Sequence, residues 1–247
     1  MHISIAGNIG SGKTTLTKLL AKHYGYKPMY EEMENNPYIA SYYEDMRRWS
    51  FNLQIYFLYS RIKQLTEIQR SGVDIVQDRT LYEDAYIFAP TLHEMNLLNT
   101  RDFETYRALF DLLLSFVNPP DLLIYLRGEV PSLIRQIQKR GRTYESSIRL
   151  DYLTGLNNRY EEWIAHYDRS KLLIIDIDDL NFADNPDDLG TVINMIDAEY
   201  NGLFQQPEQE EMLFGKPLSK LIEKEEDIEP FDLEDDADKT EQEEPEA

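Results

Sequence analysis

The chain opens with a short apolar stretch, residues 2–6, that runs directly into Gly7-Asn8-Ile9-Gly10-Ser11-Gly12-Lys13-Thr14-Thr15. This run matches the phosphate-loop pattern G-x-x-x-x-G-K-[ST] at every defined position. Its glycines let successive backbone N–H groups point at phosphate oxygens, and the helix that follows adds its positive end. The spacing predicts that Lys13 reaches the β- and γ-phosphates and that the Thr14 hydroxyl ligates Mg²⁺. A chance glycine-rich turn is disfavoured, because the motif lies between a strand and a helix.

Short apolar strands and helices alternate after this loop. Strands are predicted at residues 26–31, 73–78, 121–126 and 171–176. Helices are predicted after Pro37 and at residues 48–70, 81–95, 101–117, 131–140, 149–168 and 187–200. The alternation predicts an α/β fold with a five-stranded parallel sheet flanked by helices. Active sites in such sheets lie at the carboxyl ends of the strands, near which Gly7, Glu31, Asp78 and Arg127 fall.

Composition and charge exclude several classes of protein. The 247 residues include no cysteine, so disulfides and thiolate-held metal centres are excluded, and a reducing cytoplasm is expected. No apolar run approaches the roughly 18 residues of a membrane span, and no secretory signal begins the sequence. The net charge of −21 predicts a protein that repels nucleic acid, so a phosphate site must be a local basic pocket.

The acidic residues are concentrated at the C-terminus. Residues 223–247 carry 14 acidic and 2 basic side chains, a net charge of −12 that leaves −9 for residues 1–222. The sequence is also proline-punctuated beyond Pro207. We therefore expect one catalytic domain at residues 1–206 and an acidic, flexible tail at residues 207–247.

A phosphate loop alone does not identify the group that receives the phosphate. Water would make the chain an ATPase or GTPase, whereas a nucleoside or nucleotide would make it a small-molecule kinase. The sequence has no N-K-x-D stretch of the kind that reads guanine, which argues against a GTPase switch.

Six blocks in order give the chain a resemblance to the deoxynucleoside kinase family, in particular its bacterial deoxyadenosine and deoxyguanosine kinases. The blocks, all within residues 1–200, are GNIGSGKTT (7–15), YEEMENNPY (30–38), YYEDMRRWSFNLQIYFLYSR (42–61), QDRTLYEDAYIFA (77–89), KRGRTYE (139–145) and RLDYLTGLNNRYEEW (149–163). The resemblance implies phosphorylation of a deoxynucleoside with ATP and Mg²⁺, a lid bearing arginines, and a homodimer.

A carboxylate at the end of the second strand is the candidate general base. Glu31 there can accept the proton of a substrate 5′-hydroxyl as it attacks the γ-phosphate. The family usually has proline and valine after this glutamate, whereas this chain has Glu32 and Met33. Adjacent side chains on a strand face opposite ways, so one glutamate alone points at the substrate. We take Glu31 as the base and keep Glu32 as the alternative.

One helical face carries the candidate residues for the acceptor. Gln54, Phe57 and Arg61 share this face with Leu58 at spacings i, i+3, i+4 and i+7. A glutamine can donate and accept at once, which suits a base edge. The resemblance implies that Gln54 reads the base, that Arg61 supports it, and that Tyr43 contacts the sugar 3′-hydroxyl. Ordinary core packing is the alternative for the aromatic residues.

The block after the third strand adds a metal ligand and further contacts to the base. By resemblance, Asp78 lies near the metal, and Arg79 lies near the 5′-hydroxyl and phosphate. Asp84 takes part in base recognition, and Phe88 stacks on the base. Ala85 stands where pyrimidine-preferring relatives carry a bulkier basic residue, which favours a purine, with deoxyadenosine as the preferred substrate.

The densest basic cluster resembles the lid of nucleoside and nucleotide kinases. Arg140 and Arg142 are expected to neutralise charge on the transferred phosphoryl group. A nucleic-acid patch and a solvated helix end are the alternatives. By resemblance, Asp151 pairs with Tyr43 on the 3′-hydroxyl, although relatives often have the longer glutamate there.

Two other functions remain open from the sequence. A nucleoside monophosphate kinase would need arginines for the acceptor phosphate where this chain has Tyr43 and Glu31. A non-catalytic ATP-binding scaffold would use the acidic tail to recruit a basic partner.

Overall fold

The computed structural model describes residues 1–31, 36–142, 145 and 148–200, together with the backbone of residues 212–213 and 216–217. The chain forms two compact units, Met1–Leu203 and Phe204–Ala247. In the second unit, Met212–Leu213 and Lys216–Pro217 form an antiparallel pair, β6 and β7. The rest of the expected tail at residues 207–247 lies outside the described residues.

The first unit contains a five-stranded parallel sheet, as the sequence predicts. Its strands run in the order β2-β3-β1-β4-β5. They are β1 His2–Gly7, β2 Lys27–Met29, β3 Ile75–Asp78, β4 Leu122–Arg127 and β5 Lys171–Asp176.

Helices cover both faces of this sheet. They are α1 Lys13–Tyr24, α2 Ile39–Glu44, α3 Met46–Ser71, α4 Leu81–Glu83, α5 Ala89–Glu94, α6 Thr100–Leu114, α7 Val130–Arg140, α8 Leu150–Ala165 and α9 Pro186–Tyr200. A π-helical turn, Asp84–Phe88, joins α4 to α5. None of the helices in the described part of the chain is long and apolar enough to cross a membrane.

The sheet separates two hydrophobic cores, because successive side chains of a strand point to opposite faces. On β4, Leu123 and Tyr125 pack into the core that includes α3, α6 and α8. Ile124 and Leu126 pack into the other core, with α1 and α9. Since both faces of β4 are covered, the strand reads as a continuous apolar run.

Strand register brings the functional residues to one edge of the sheet. Ile5 of β1 lies beside Asp78 of β3, and Gly7 lies beside Leu126 of β4. The phosphate loop therefore leaves β1 between the carboxyl ends of β3 and β4. Glu31 follows two residues after the end of β2, on the far side of β3.

Two elements differ from the sequence prediction. β2 is shorter than the predicted strand at residues 26–31, and it forms the sheet edge with Pro28, which has no N–H to donate. The helix predicted at residues 81–95 is interrupted by the π-helical turn, in which the Ala89 N–H donates to the Asp84 carbonyl. Such turns are frequent at functional sites, and the apolar period of the sequence does not reveal them.

Candidate active site

The phosphate loop is closed around Lys13. The Lys13 ammonium donates to the carbonyl oxygens of Gly7 at 2.8 Å and Asn8 at 2.9 Å. Burial, followed by the positive charge of Arg79, lowers the pKa of Lys13 to about 8. Lys13 is therefore held in a buried site next to a second cation, Arg79, and this positive charge suits the binding of a polyphosphate.

Glycine is sterically required at several positions of this loop. Gly10 has a φ of +89°, and a Cβ there would lie 2.7 Å from the Leu133 carbonyl oxygen of α7. Gly12 has a φ of +90°, and its Cβ would lie 3.0 Å from the Phe182 ring. The loop is thus packed against α7 and against the segment before α9.

The remaining loop side chains fix its position. The Asn8 amide donates to the Leu153 carbonyl at 3.2 Å and to Asn157 Oδ1 at 3.0 Å, which ties the loop to α8. Ile9 packs against the first core, and Ser11 is buried. Thr15 is exposed in the first turn of α1.

Two oxygen-bearing side chains meet beside the loop. The Thr14 hydroxyl donates to Asp78 Oδ2 at 2.5 Å. Burial raises the pKa of Asp78 above its usual value, and Asp78 Oδ1 has no hydrogen-bond partner among the described residues. A hydroxyl and a carboxylate with a spare oxygen suit Mg²⁺, which prefers oxygen ligands.

Arg61 lies fully buried at the centre of the site, with 1% of its surface exposed. Its guanidinium donates to Glu31 Oε1 at 2.6 Å and to the Asp78 carbonyl at 3.3 Å, and its Nε lies 3.6 Å from Asp84 Oδ2. One side chain of α3 therefore connects the candidate base, the candidate metal ligand and the candidate base-reading carboxylate.

Glu31 is surrounded by positive charge. Besides Arg61, Arg79 Nε lies 3.1 Å from Glu31 Oε1. Burial alone would raise the pKa of Glu31, but Arg79, Arg61, Lys13 and Arg142 outweigh it and hold the pKa below 4.5. Glu31 is therefore ionised at neutral pH, in the form that accepts a proton.

Arg79 has an unusual backbone conformation. Its φ of 72° lies in the left-handed region, which costs a non-glycine residue about 1–3 kcal/mol and persists only where the surroundings hold it. The Arg79 N–H donates to the Ile5 carbonyl at 2.9 Å. Its guanidinium lies over the Phe88 ring, 4.5 Å from the centroid, in a cation–π contact.

The candidate base-reading residues are buried polar side chains. Gln54 and Asp84 are each 2% exposed, and Gln54 Oε1 has no hydrogen-bond partner among the described residues. Burial raises the pKa of Asp84 to about 7, although Arg61 and Arg79 act in the opposite direction. Buried polar atoms without partners are costly, so these side chains are poised for a polar ligand.

The sugar-contact candidates lie in different environments. Tyr43 is half-buried on α2, edge-on to Tyr42 at 5.1 Å between centroids, and Phe57 packs against the first core. Asp151 is exposed and bonds the Arg149 guanidinium at 2.5 and 3.0 Å. The sugar role of Asp151 stays a prediction.

Arg140 and Arg142, which the sequence predicts to belong to a lid, converge on a carboxylate that the sequence analysis missed. Arg140, at the end of α7, donates to Glu145 at 2.6 and 3.0 Å, and Arg142 lies 3.5 Å from the same carboxylate. Glu145 is 4% exposed, in contrast to Asp151. The positive charge of Arg142 also lowers the pKa of Glu31, so this segment acts electrostatically on the site.

Glu83 is a second carboxylate that the sequence analysis missed. It is fully buried between Asp84 and the phosphate loop, and the Gly7 N–H donates to its Oε1 at 3.2 Å. The spacing Thr80-x-x-Glu83 is that of a capping box, and the structure forms one. That signal was present in the sequence, but the contact to Gly7 was not predictable from it.

Comparisons with known proteins agree with this geometry. The family model described as "Deoxynucleoside kinase" matches residues 3–200. The chain belongs to the deoxynucleoside kinase family. It is therefore a phosphotransferase, and the two alternatives, a nucleoside monophosphate kinase and a non-catalytic scaffold, are set aside.

The kinase is similar in sequence to curated relatives and in structure to solved kinases. It is 37% identical over 196 residues to the deoxyadenosine/deoxycytidine kinase of Bacillus subtilis, covering 78% of this chain and 90% of that one. It is 39% identical over 202 residues to the deoxyadenosine kinase of Dictyostelium discoideum, covering 82% and 80%. The deoxyadenosine kinase of M. mycoides, solved with bound dATP, superposes with a TM-score of 0.71 at 32% identity, covering 80% of this kinase and 100% of that chain.

The packing of Gly10 against α7 predicts a selective loss of nucleotide binding. In Gly10→Ala, the collision with a backbone oxygen shifts the loop, so we expect the Kd for ATP to rise at least about tenfold, measured by calorimetric titration. Gly25→Ala is the matched control, because Gly25 also has a positive φ but a Cβ added there would meet nothing within 4 Å. That control should lose about 1 kcal/mol of stability and keep its ATP affinity. Equal Kd values for both variants would contradict the packing argument.

The raised pKa of Asp84 predicts how stability depends on pH. Since the folded kinase binds the Asp84 proton more tightly than the unfolded chain, this group favours folding at low pH and the benefit is lost as pH rises through about 7. Asp84→Asn removes the titration. The free energy of unfolding should therefore fall more steeply for the native kinase than for Asp84→Asn between about pH 5 and about pH 8, measured by urea denaturation.

Asp168→Asn is the control for this pH experiment, because the Asp168 side chain is 88% exposed. It should follow the pH dependence of the native kinase. Parallel curves for Asp84→Asn and the native kinase would show that Asp84 does not titrate in this range.

Proposed function

We propose that the kinase transfers the γ-phosphate of ATP to the 5′-hydroxyl of a purine deoxynucleoside, with deoxyadenosine preferred. The observation that carries this is the placement of an ionised Glu31 between Arg61 and Arg79, beside the phosphate loop. The product is the deoxynucleoside 5′-monophosphate, and the metabolic role is nucleotide salvage.

On the donor side, the phosphate loop binds the triphosphate. Backbone N–H groups of residues 12–15, at the N-terminus of α1, face the phosphate oxygens, and Lys13 exchanges its carbonyl contacts for the β- and γ-phosphates. The negative charge of the bound triphosphate favours the protonated form of Lys13, which burial disfavours. ATP would enter as its Mg²⁺ complex, and Thr14 and Asp78 are the residues that would hold the metal.

Mg²⁺ would supply positive charge against the phosphates of ATP. No group of three or more His, Cys, Asp or Glu side chains suited to a metal ion occurs in the described ranges. Two side-chain oxygens of the protein, those of Thr14 and Asp78, suit the oxygen ligands that Mg²⁺ prefers.

Glu31 serves as the general base. Its carboxylate takes the proton of the 5′-hydroxyl as the oxygen attacks the γ-phosphorus, and the bond to the ADP leaving oxygen breaks. Arg79 shares the Glu31 oxygen with Arg61, so it can bind the 5′-oxygen and the phosphoryl group at once. Arg140 and Arg142 form the lid that neutralises the transferred charge, and Glu145 orients them.

The acceptor pocket selects the base through buried polar groups. Gln54 and Asp84 offer both donor and acceptor atoms to a base edge, with Arg61 behind Asp84 and Phe57 and Phe88 as apolar walls. Ala85 leaves room for a purine, and two of the similar relatives are named as deoxyadenosine kinases. Tyr43 and Asp151 are assigned to the sugar 3′-hydroxyl. The division at residues 206 and 207 and the cytoplasmic location stay predictions.

The decisive test replaces the candidate base. Glu31→Gln keeps the shape of the side chain and removes its basicity, so we expect kcat to fall about 10²- to 10⁴-fold. ADP release from ATP–Mg²⁺ is measured with each of the four deoxynucleosides as acceptor. The native kinase should turn over deoxyadenosine with the highest kcat/KM.

Glu32→Gln is the matched control, since the sequence left the choice between the two glutamates open. It should keep kcat within about threefold of the native value. A large loss in Glu32→Gln with Glu31→Gln active would reassign the base. No turnover of any deoxynucleoside by protein that binds ATP would refute the proposed reaction.

We also propose that the kinase forms a homodimer through α6. Leu109 and Leu112 lie three residues apart on α6, and Phe116 lies in the turn that follows the helix; their side chains are 36%, 58% and 68% exposed. An exposed apolar stripe of this kind is typical of an interface between protein chains.

Sedimentation velocity tests the dimer. Leu112→Glu buries a charge in the proposed interface and should convert a dimer of the native kinase into a monomer. Val73→Glu, at a site that is 52% exposed, should leave the dimer intact. A monomeric native kinase, or a dimer unaffected by Leu112→Glu, would refute this interface.

A further inference from the structure

Glu83 is the most completely bonded carboxylate near the phosphate loop. Its Oε1 accepts from the Gly7 N–H at 3.2 Å and from the Tyr160 hydroxyl at 2.8 Å. Its Oε2 accepts from the Thr80 N–H at 2.6 Å and from the Thr80 hydroxyl at 3.1 Å. All four donors are uncharged, and Glu83 has no exposed surface. A buried carboxylate is expensive to maintain, so a simple helix cap does not account for it.

The four hydrogen bonds connect three parts of the site. Gly7 is the first residue of the phosphate loop, where β1 ends. Thr80 directly follows Arg79 after β3, and Tyr160 lies on α8, which follows the lid segment. Glu83 therefore accepts hydrogen bonds from the phosphate loop, from the residue that follows Arg79, and from α8.

The bond to Thr80 bears directly on Arg79. The Arg79 N–H is fixed by the Ile5 carbonyl, and the next N–H along the chain, that of Thr80, is fixed by Glu83. These two bonds hold the peptide groups on either side of Arg79, whose φ of 72° is disfavoured for any residue with a Cβ. Without the carboxylate, the backbone is free to relax and carry the guanidinium away from Glu31 and Phe88.

The bond to Gly7 bears on the phosphate loop. A Cβ at Gly7 would lie 2.6 Å from Ser11 Oγ and 2.9 Å from the Leu126 carbonyl oxygen, so the loop entrance is tightly packed. In this space the Glu83 carboxylate sets the direction of the first loop peptide. The same carboxylate thus fixes the loop and Arg79 relative to each other.

We propose that Glu83 is a positioning residue for phosphoryl transfer, which holds the phosphate loop and the left-handed backbone of Arg79 in one fixed arrangement. It acts through Gly7 and Arg79 and does not itself touch a substrate. The inference rests on the proposed function for its effect on kcat, whereas its effect on the phosphate loop is independent of the acceptor.

Glu83→Gln tests the proposal with little change of shape. The amide group replaces one acceptor with a donor, so either the Gly7 or the Thr80 N–H loses its partner. We expect kcat with deoxyadenosine to fall about 10- to 100-fold while KM for the nucleoside changes less than about threefold. We also expect the Kd for ATP–Mg²⁺, titrated without any acceptor, to rise at least about threefold. Glu94→Gln, whose partner Arg159 is likewise on α8, should change neither value.

A double-mutant cycle shows whether Glu83 acts through Arg79. Arg79→Lys alone lowers kcat, and adding Glu83→Gln should lower it little further, because the residue being positioned is already gone. Losses that multiply fully would overturn the route through Arg79. Native values of kcat and ATP affinity in Glu83→Gln would overturn the proposal as a whole.

Two further measurements keep the outcome clear. If Glu83→Gln does not fold, Tyr160→Phe replaces it, because this variant removes one of the four donors to Glu83 without changing the packing. It should lower kcat about two- to fivefold. An unchanged kcat in Tyr160→Phe would then overturn the proposal. If the native kinase phosphorylates no deoxynucleoside, the proposed function fails, and the ATP titration of Glu83→Gln against Glu94→Gln decides the Glu83 inference separately.

Discussion

The buried guanidinium of Arg61 is the interaction on which the site depends. It lies against Glu31, Asp84 and the Asp78 carbonyl, all of them at the carboxyl edge of the sheet or in the turn that follows β3. The two carboxylates of Glu31 and Asp84 in so small a dry space would repel one another. The planar guanidinium with its five donors keeps them together, which a lysine at the same place would not do. Removing Arg61 would leave Glu31 with Arg79 alone and would take the nearest cation from Asp84, so the contribution of Arg61 cannot be separated from that of its partners.

The fold supplies this arrangement through strand order. The central position of β1 puts the phosphate loop between β3 and β4, and β3 separates it from β2 and Glu31. α3 then runs past the ends of β2 and β3, so that its buried polar face meets both of them. The donor and acceptor halves of the site thus come from distant parts of the chain and meet at one edge.

Much of the fold and the donor half of the site could be predicted from the sequence. The spacing of Lys13 and Thr14 is fixed by a local motif, and apolar runs flanked by helices indicate a parallel sheet. The choice of Glu31 over Glu32 rested on strand alternation and resemblance, but β2 ends at Met29, so alternation does not apply; Glu31 lies against Arg61 and Arg79, and Glu32 lies outside the described residues. Helical spacing put Gln54 and Arg61 on one face, and both are buried, whereas their roles at the base came from resemblance and stay predictions.

The parts that the sequence did not reveal depend on contacts between distant residues. The Gly7–Glu83 bond joins residues 76 positions apart, and no local pattern marks it. The arginines of the KRGRTYE block meet Glu145, a contact that the sequence did not predict. The left-handed backbone at Arg79 likewise has no signal in residue type, since arginine carries no preference for that region.

The π-helical turn at Asp84–Phe88 has a consequence for how this segment can change during evolution. A π-helical turn holds one more residue than an α-helical turn, so deleting one residue there would restore a regular helix. Every side chain beyond the deletion would then rotate by about 100° around the helix axis. Insertions and deletions within Asp84–Phe88 are therefore limited by the orientation of the side chains that bind the base more than by the stability of the fold. In an alignment of relatives, gaps should occur before or after this turn rather than within it.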